Sequence, residues 1–175
     1  MNRNKGTLYW FTGLPGAGKT TLSKKFNNWL ESKNQQAILL DGDSLREILG
    51  DQFGYEPEQR KALALSYAKL SKNLTEQGFD VVFATVSMFA EVRKWNRHNI
   101  AHYIEVYVEV SDEILRQRNQ KNIYSLKGDE KGSMPFSESA YQLPENPDIK
   151  VKNEGDLEQV FTSLIQQYEK LGSKK

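Results

Sequence analysis

One stretch near the start of the chain, Gly13-Leu14-Pro15-Gly16-Ala17-Gly18-Lys19-Thr20, constrains it more than any other feature. It satisfies G-x-x-x-x-G-K-[ST] in full, a pattern that has physical content only between a strand and a helix. Both neighbours are there: residues 7–12, TLYWFT, read as a short buried strand, and an amphipathic run begins at Lys19. Gly13, Gly16 and Gly18 let the backbone curl so that successive N–H groups face inward at phosphate oxygens. The free N–H groups and positive dipole end of the helix that follows add to the attraction. Lys19 supplies a point charge for the β- and γ-phosphates, and the Thr20 hydroxyl is suited to ligating Mg²⁺. The expected ligand is the triphosphate tail of ATP with magnesium, held by residues 13–20 together with Thr21.

Such a loop belongs at the edge of a parallel sheet, and the rest of the chain supplies one. Short apolar runs alternate with longer amphipathic ones. Strands are expected at 7–12, 37–41, 79–84, 103–110 and 149–152, and helices at 19–33, 44–49, 57–77, 89–99, 112–121 and 156–171. In the helix from Pro57, apolar residues recur at Leu63, Tyr67, Leu70 and Leu74, and Gly78 stands just past the end as a stop. The expected architecture is a three-layer α/β P-loop NTPase fold. It has a mostly parallel five-stranded sheet flanked by helices, in one domain over 1–175. Residues 122–147 break the pattern, with three prolines, two glycines, four serines and no periodicity. A loop of that length in a compact domain is functional or disordered, and its place late in the chain predicts a mobile lid over the site.

Composition narrows the function classes. With no cysteine among 175 residues, a disulfide framework, a thiolate zinc site and a cysteine nucleophile are excluded. Basic and acidic residues number 24 and 23, for a net charge of +1, so nothing pulls the whole chain toward nucleic acid or a membrane surface. The apolar run at 8–11 ends at Thr12-Gly13, too early for a signal peptide. No segment approaches the ~20 apolar residues of a membrane span. A cytoplasmic protein is expected.

The second candidate site is the tip of the next strand, where Leu39-Leu40 runs into Asp41-Gly42-Asp43-Ser44. In an open parallel sheet the C-terminal strand ends line the ligand crevice. Asp41 is therefore expected to hold magnesium through water and Asp43 to orient or deprotonate an acceptor hydroxyl, with Gly42 allowing the close turn. The alternative role for Asp43 or Ser44 is to cap the helix through Leu49. Phosphoryl transfer also needs cations, and the candidates are Arg46, Arg60, Arg93, Arg116, Arg118 and Lys121. Arg118 and Lys121 stand out because they flank the mouth of the expected lid.

The blocks F-T-G-L-P-G-A-G-K-T-T-L, L-D-G-D-S-L-R and F-G-Y with a following arginine resemble the adenylyl-sulfate kinase family. The likeness continues through Ala84-Thr85-Val86-Ser87, Glu105-Val106-Tyr107-Val108, Arg118 to Tyr124, and Tyr141-Gln142-Leu143-Pro144-Glu145-Asn146-Pro147, and so spans nearly the whole chain in order. It implies ATP-dependent phosphorylation of a ribose 3′-hydroxyl on a small nucleotide, by a homodimer. It implies Asp43 beside that hydroxyl, and Asp41, Arg46, Tyr55 and Arg60 around the acceptor. Ser87 falls on the serine of the family's F-I-S-P, read here as a positioning group for direct in-line transfer, and Lys121 falls on the lid lysine.

Three departures cluster in the acceptor half. Leu63 stands where the family has asparagine, Ala90 where it has arginine, and Met134 where it has the lid phenylalanine, with Phe136 two residues on. Losing polar and cationic groups there changes which ligand is bound, because a site built to hydrogen-bond one partner rejects analogues strongly. The favoured acceptor is cytidine diphosphoramidate, as in relatives that serve capsule modification, with adenylyl sulfate the alternative. A sugar-acid or nucleoside kinase would not need the ordered blocks beyond Lys19. A nucleotide-binding switch without kinase activity would want a guanine-reading N-K-x-D, which is absent, and a nucleic-acid end kinase would want a basic surface.

Overall fold

A strand that is apolar at every inner position has to be covered on both faces, and TLYWFT is such a strand. The computed structural model describes residues 4–49, 54, 56–118 and 141–173. Its strands are β1 (Thr7–Thr12), β2 (Ala37–Asp41), β3 (Asp80–Thr85), β4 (His102–Glu109) and β5 (Ile149–Lys152). All pairings are parallel, in the order β2-β3-β1-β4-β5, so β1 is central. The helices are α1 (Lys19–Ser32), α2 (Gly42–Leu49), α3 (Pro57–Glu76), α4 (Ala90–Asn99), α5 (Asp112–Arg118) and α6 (Leu157–Gly172). Leu8 and Trp10 of β1 pack with Leu63, Tyr67 and Val92 on one face. Tyr9 and Phe11 pack with Leu22, Phe26 and Leu164 on the other. This is the three-layer arrangement expected, and no described helix is long and apolar enough to cross a membrane.

Element ends follow local chemistry. Helix α3 starts as its sequence predicts, with Pro57 in the first turn and a capping box in which the Gln59 side chain accepts from the Glu56 N–H at 3.3 Å. Helix α2 starts two residues earlier than expected, because Asp41 is its cap, not Asp43 or Ser44. The Asp41 Oδ1 accepts from the Asp43 N–H at 2.9 Å and the Ser44 N–H at 3.3 Å.

The end of the segment expected to be a lid is tied down. The Gln142 N–H donates to the Met88 carbonyl at 2.7 Å, its Oε1 accepts from the Ala90 N–H at 2.8 Å, and Arg93 Nη2 donates to the Leu143 carbonyl at 3.3 Å. Below this lies a buried ionic cluster: Arg93 Nε sits 3.2 Å from Glu105 Oε1, and Arg97 Nη2 sits 3.1 Å from both Glu105 Oε2 and Asp148 Oδ2. Burial pushes the Glu105 carboxyl above the usual carboxylate range, with Arg93 and then Arg97 pulling it back. Burial likewise holds Arg93 below its ordinary value, so for both partners desolvation outweighs pairing.

Removing one partner is a different matter from removing both. Arg93→Met leaves the Glu105 carboxylate without its buried counter-charge, Arg97 being the more exposed of the two arginines, and is expected to cost about 3 kcal/mol at pH 8. A carboxyl raised in the folded state contributes stability that is present below its unfolded value and lost as pH rises through the folded one. Without Arg93 the folded value climbs further. The deficit, read as a shift in urea midpoint at unchanged slope, should therefore shrink as the pH is lowered toward 5. A deficit that grows in acid would refute this account.

Candidate active site

Because the sheet is parallel, the turns after β1, β2 and β3 all emerge at the same edge, and they enclose a cavity of about 590 Å³. Pro15, Gly16, Gly18, Lys19, Thr20 and Thr21 form one side of it. Gly18 is the N-cap of α1 with φ +91°, a left-handed conformation that a side chain strains. Among the described residues no side chain caps this helix, as suits a helix start that takes an anion. Lys19 is buried, and its Nζ arches back over the loop to the Leu14 carbonyl at 2.8 Å. Gly13, Leu14 and Ala17 shape the loop from behind; Ala17 is fully buried.

Asp41, Gly42 and Asp43 form the floor next to the loop. Thr20 Oγ1 donates to Asp41 Oδ2 at 2.7 Å, so the hydroxyl and the carboxylate expected to share a metal are already in contact. These are hard oxygen donors, suited to Mg²⁺, which keeps most of its waters and takes few protein ligands. No group of three His, Cys, Asp or Glu gathers among the described residues. Gly42 is required by close approach, since a Cβ there would lie 2.9 Å from Thr85 Oγ1. Beneath, the Tyr67 hydroxyl donates to the Gly42 carbonyl at 3.0 Å. Burial pushes that phenol up to about 12; Arg46 opposes the shift while Asp43 and Asp41 reinforce it. Tyr67 is thus a neutral donor throughout the range in which a kinase works.

The far wall is Arg46, Arg60, Leu63 and Ala64. Arg46 Nη2 donates to the Gly54 carbonyl at 3.1 Å. Arg60 donates to the Tyr141 hydroxyl at 3.1 Å and lies 5.5 Å from the centre of its ring, so the end of the 122–147 segment braces this arginine. Leu63 is 4% exposed and belongs to the core behind the wall. At the outer end stand Arg118, Asn153, Gly155 and Leu157.

Most of the residues singled out from sequence therefore meet at one cavity: the loop, Thr20, Thr21, Asp41, Asp43, Arg46, Arg60 and Arg118. Ser87 does not. Its neighbours Thr85 and Val86 line the space, but Ser87 is fully buried, its carbonyl accepts from Thr12 Oγ1, and its hydroxyl has no hydrogen-bond partner among the described residues. Arg93 also points elsewhere, into the ionic cluster. Tyr55, Lys121, Met134 and Phe136 lie outside the described residues. Sequence reasoning missed Tyr67, counted as an apolar core position, and Asn153. The latter sits at the end of a parallel strand, the position that the strand-end rule marks for inspection.

The chain matches the model of the family described as adenylylsulphate kinase over residues 5–152. It is 42% identical over 123 residues to a cytidine diphosphoramidate kinase of Campylobacter jejuni, covering 70% of this chain and 72% of the relative. It is 34% identical over 170 residues to an adenylyl-sulfate kinase of Staphylococcus epidermidis, covering 94% and 84%. Among solved structures it superposes on the APS kinase of Mycobacterium tuberculosis in complex with AMPPNP and APS. The TM-score is 0.80 at 27% identity, over 94% of this chain and 98% of the other.

Proposed function

The chain belongs to the adenylylsulphate kinase family, and from that premise we propose that it phosphorylates the ribose 3′-hydroxyl of a small nucleotide, with cytidine diphosphoramidate the favoured acceptor. Its reaction class follows from membership: it is an ATP-dependent phosphotransferase with an alcohol acceptor. The acceptor assignment rests on Leu63. It lines the cavity where the family resemblance calls for asparagine, so that part of the wall offers contact area and no hydrogen bond. Ala90, at a position expected to be arginine, removes a cation from the same half, as suits a neutral amidate in place of sulfate. The 42% identity to a cytidine diphosphoramidate kinase supports the same reading.

In this mechanism the N–H groups of residues 13–20 other than Pro15 and the Lys19 ammonium hold the triphosphate, and Arg118 serves the ATP side of the cavity. Thr20 and Asp41 are the residues that would hold Mg²⁺, which neutralises charge shared by the β- and γ-phosphates. Asp43 accepts the proton of the acceptor hydroxyl as its oxygen attacks the γ-phosphorus in line, while the bond from that phosphorus to the β,γ-bridging oxygen breaks and ADP leaves. Arg46 and Arg60 bind the acceptor, and we extend its contacts to Tyr55, Lys121 and Phe136 on the strength of the resemblance, which also supports a homodimer. Transfer is direct, with no phosphoserine at Ser87.

The second reading, adenylyl sulfate as acceptor, is favoured by the greater span of the likeness to adenylyl-sulfate kinases, which reaches 96% of the chain. Initial rates with ATP, magnesium and each acceptor in turn decide between them. The expected result is a kcat/KM at least about tenfold higher for cytidine diphosphoramidate, the scale on which unpaired or missing polar contacts discriminate. Preference for adenylyl sulfate would overturn the assignment.

A further inference from the structure

Asn153 follows the last residue of β5 and is 7% exposed. Each of its polar groups toward the site is engaged. Its N–H donates to the Glu109 carbonyl at the end of β4, at 2.9 Å. Its own carbonyl accepts from Arg118 Nη2 at 2.8 Å. Its side-chain Nδ2 donates to the Ala17 carbonyl, in the middle of the phosphate loop, at 2.8 Å. The fit is tight: a Cβ on Gly18 would lie 2.3 Å from that same Nδ2, so the loop glycine and the asparagine are matched in shape.

The contact has a directional consequence. The Ala17 carbonyl and the Gly18 N–H belong to one planar trans peptide and point to opposite sides of it. Ala17 is fully buried, so its carbonyl has to find a donor inside the protein. With the carbonyl held by Asn153, the Gly18 N–H is fixed in the opposite direction, in a residue that lines the cavity. We propose that Asn153 is a positioning residue for the phosphate loop. It locks the Ala17–Gly18 peptide in the orientation that presents the Gly18 N–H to a triphosphate, and through Arg118 it ties that setting to α5. The inference rests on the reading that this loop takes the triphosphate of ATP.

Two variants test it, Asn153→Asp, which keeps the shape and loses the donor, and Asn153→Ala, which loses the donor without adding charge. Calorimetry with inorganic tripolyphosphate and with ATP should show both probes weakened by a similar factor in each variant. That factor should be about tenfold or more, the worth of one buried hydrogen bond with its partner left unpaired. The KM for ATP should rise with it, while the KM for the acceptor stays at the wild-type value. If one variant fails to fold, as judged by near-ultraviolet circular dichroism, the other carries the comparison. Variants that bind tripolyphosphate as the wild type does, or that lose kcat with an unchanged KM for ATP, would overturn the role of Asn153 alone. A wild-type protein that binds neither tripolyphosphate nor ATP would bring down the kinase reading, and this inference with it.

Discussion

Lys19→Ala is expected to lower kcat/KM by about a thousandfold, the scale on which removal of one preorganised charge-stabilising donor acts. The argument begins with position. Lys19 is 8% exposed, and its Nζ is held over the loop by the Leu14 carbonyl, so the ammonium stands at the loop proposed to take the β- and γ-phosphates. Part of any loss in the alanine variant comes from the missing stem, which packs in the interior. Lys19→Met keeps that stem and removes the charge, and it should lose nearly as much. Steady-state kinetics with both variants, beside ATP affinity from calorimetry, checks this. Activity within a few-fold of wild type in Lys19→Met would mean that the charge is not used.

Asp43→Asn should act on the other half of the reaction. A positioned general base contributes about 10²- to 10⁴-fold, so kcat is expected to fall by that order while ATP binding changes little. Asp41, not Asp43, caps α2 and contacts Thr20, so the amide variant leaves the helix start and the Thr20 contact in place. An unchanged kcat would remove Asp43 from catalysis, and equal losses in kcat and ATP affinity would place it with the phosphates instead.

The parts of this site that could be read in the sequence are those whose geometry is set by contiguous residues. The phosphate loop is a backbone shape written by Gly16 and Gly18 within a few positions of Lys19 and Thr20. The Asp41-Gly42-Asp43 turn is a strand tip whose place follows from the parallel rule. What was not legible depends on contacts between distant segments. Asn153 reaches Ala17 across 136 positions, and Tyr67 reaches Gly42 across 25. Neither bond has any local signature, and Tyr67 sat at a position where helical periodicity marks only an inward face. Ser87 shows the converse. It follows β3 as its place in the sequence predicts, yet the residue is fully buried, with its carbonyl accepting from Thr12 Oγ1, and which way a side chain turns there is not written locally. Helix α2 begins ahead of Ser44 for a related reason, since a cap is chosen by which carboxylate the chain direction brings over the first N–H groups.

The central place of β1 has a bearing on how the chain comes together. The strand that carries the phosphate loop is made first, yet its neighbours are β3 from Asp80 and β4 from His102. Pairings that distant in sequence have to repay loop-closure entropy before they reward it, which makes folding slow. Until residues 80–109 have been made, Leu8, Trp10 and Phe11 lack one or both of their neighbouring strands, and the nascent chain carries that apolar strand incompletely covered.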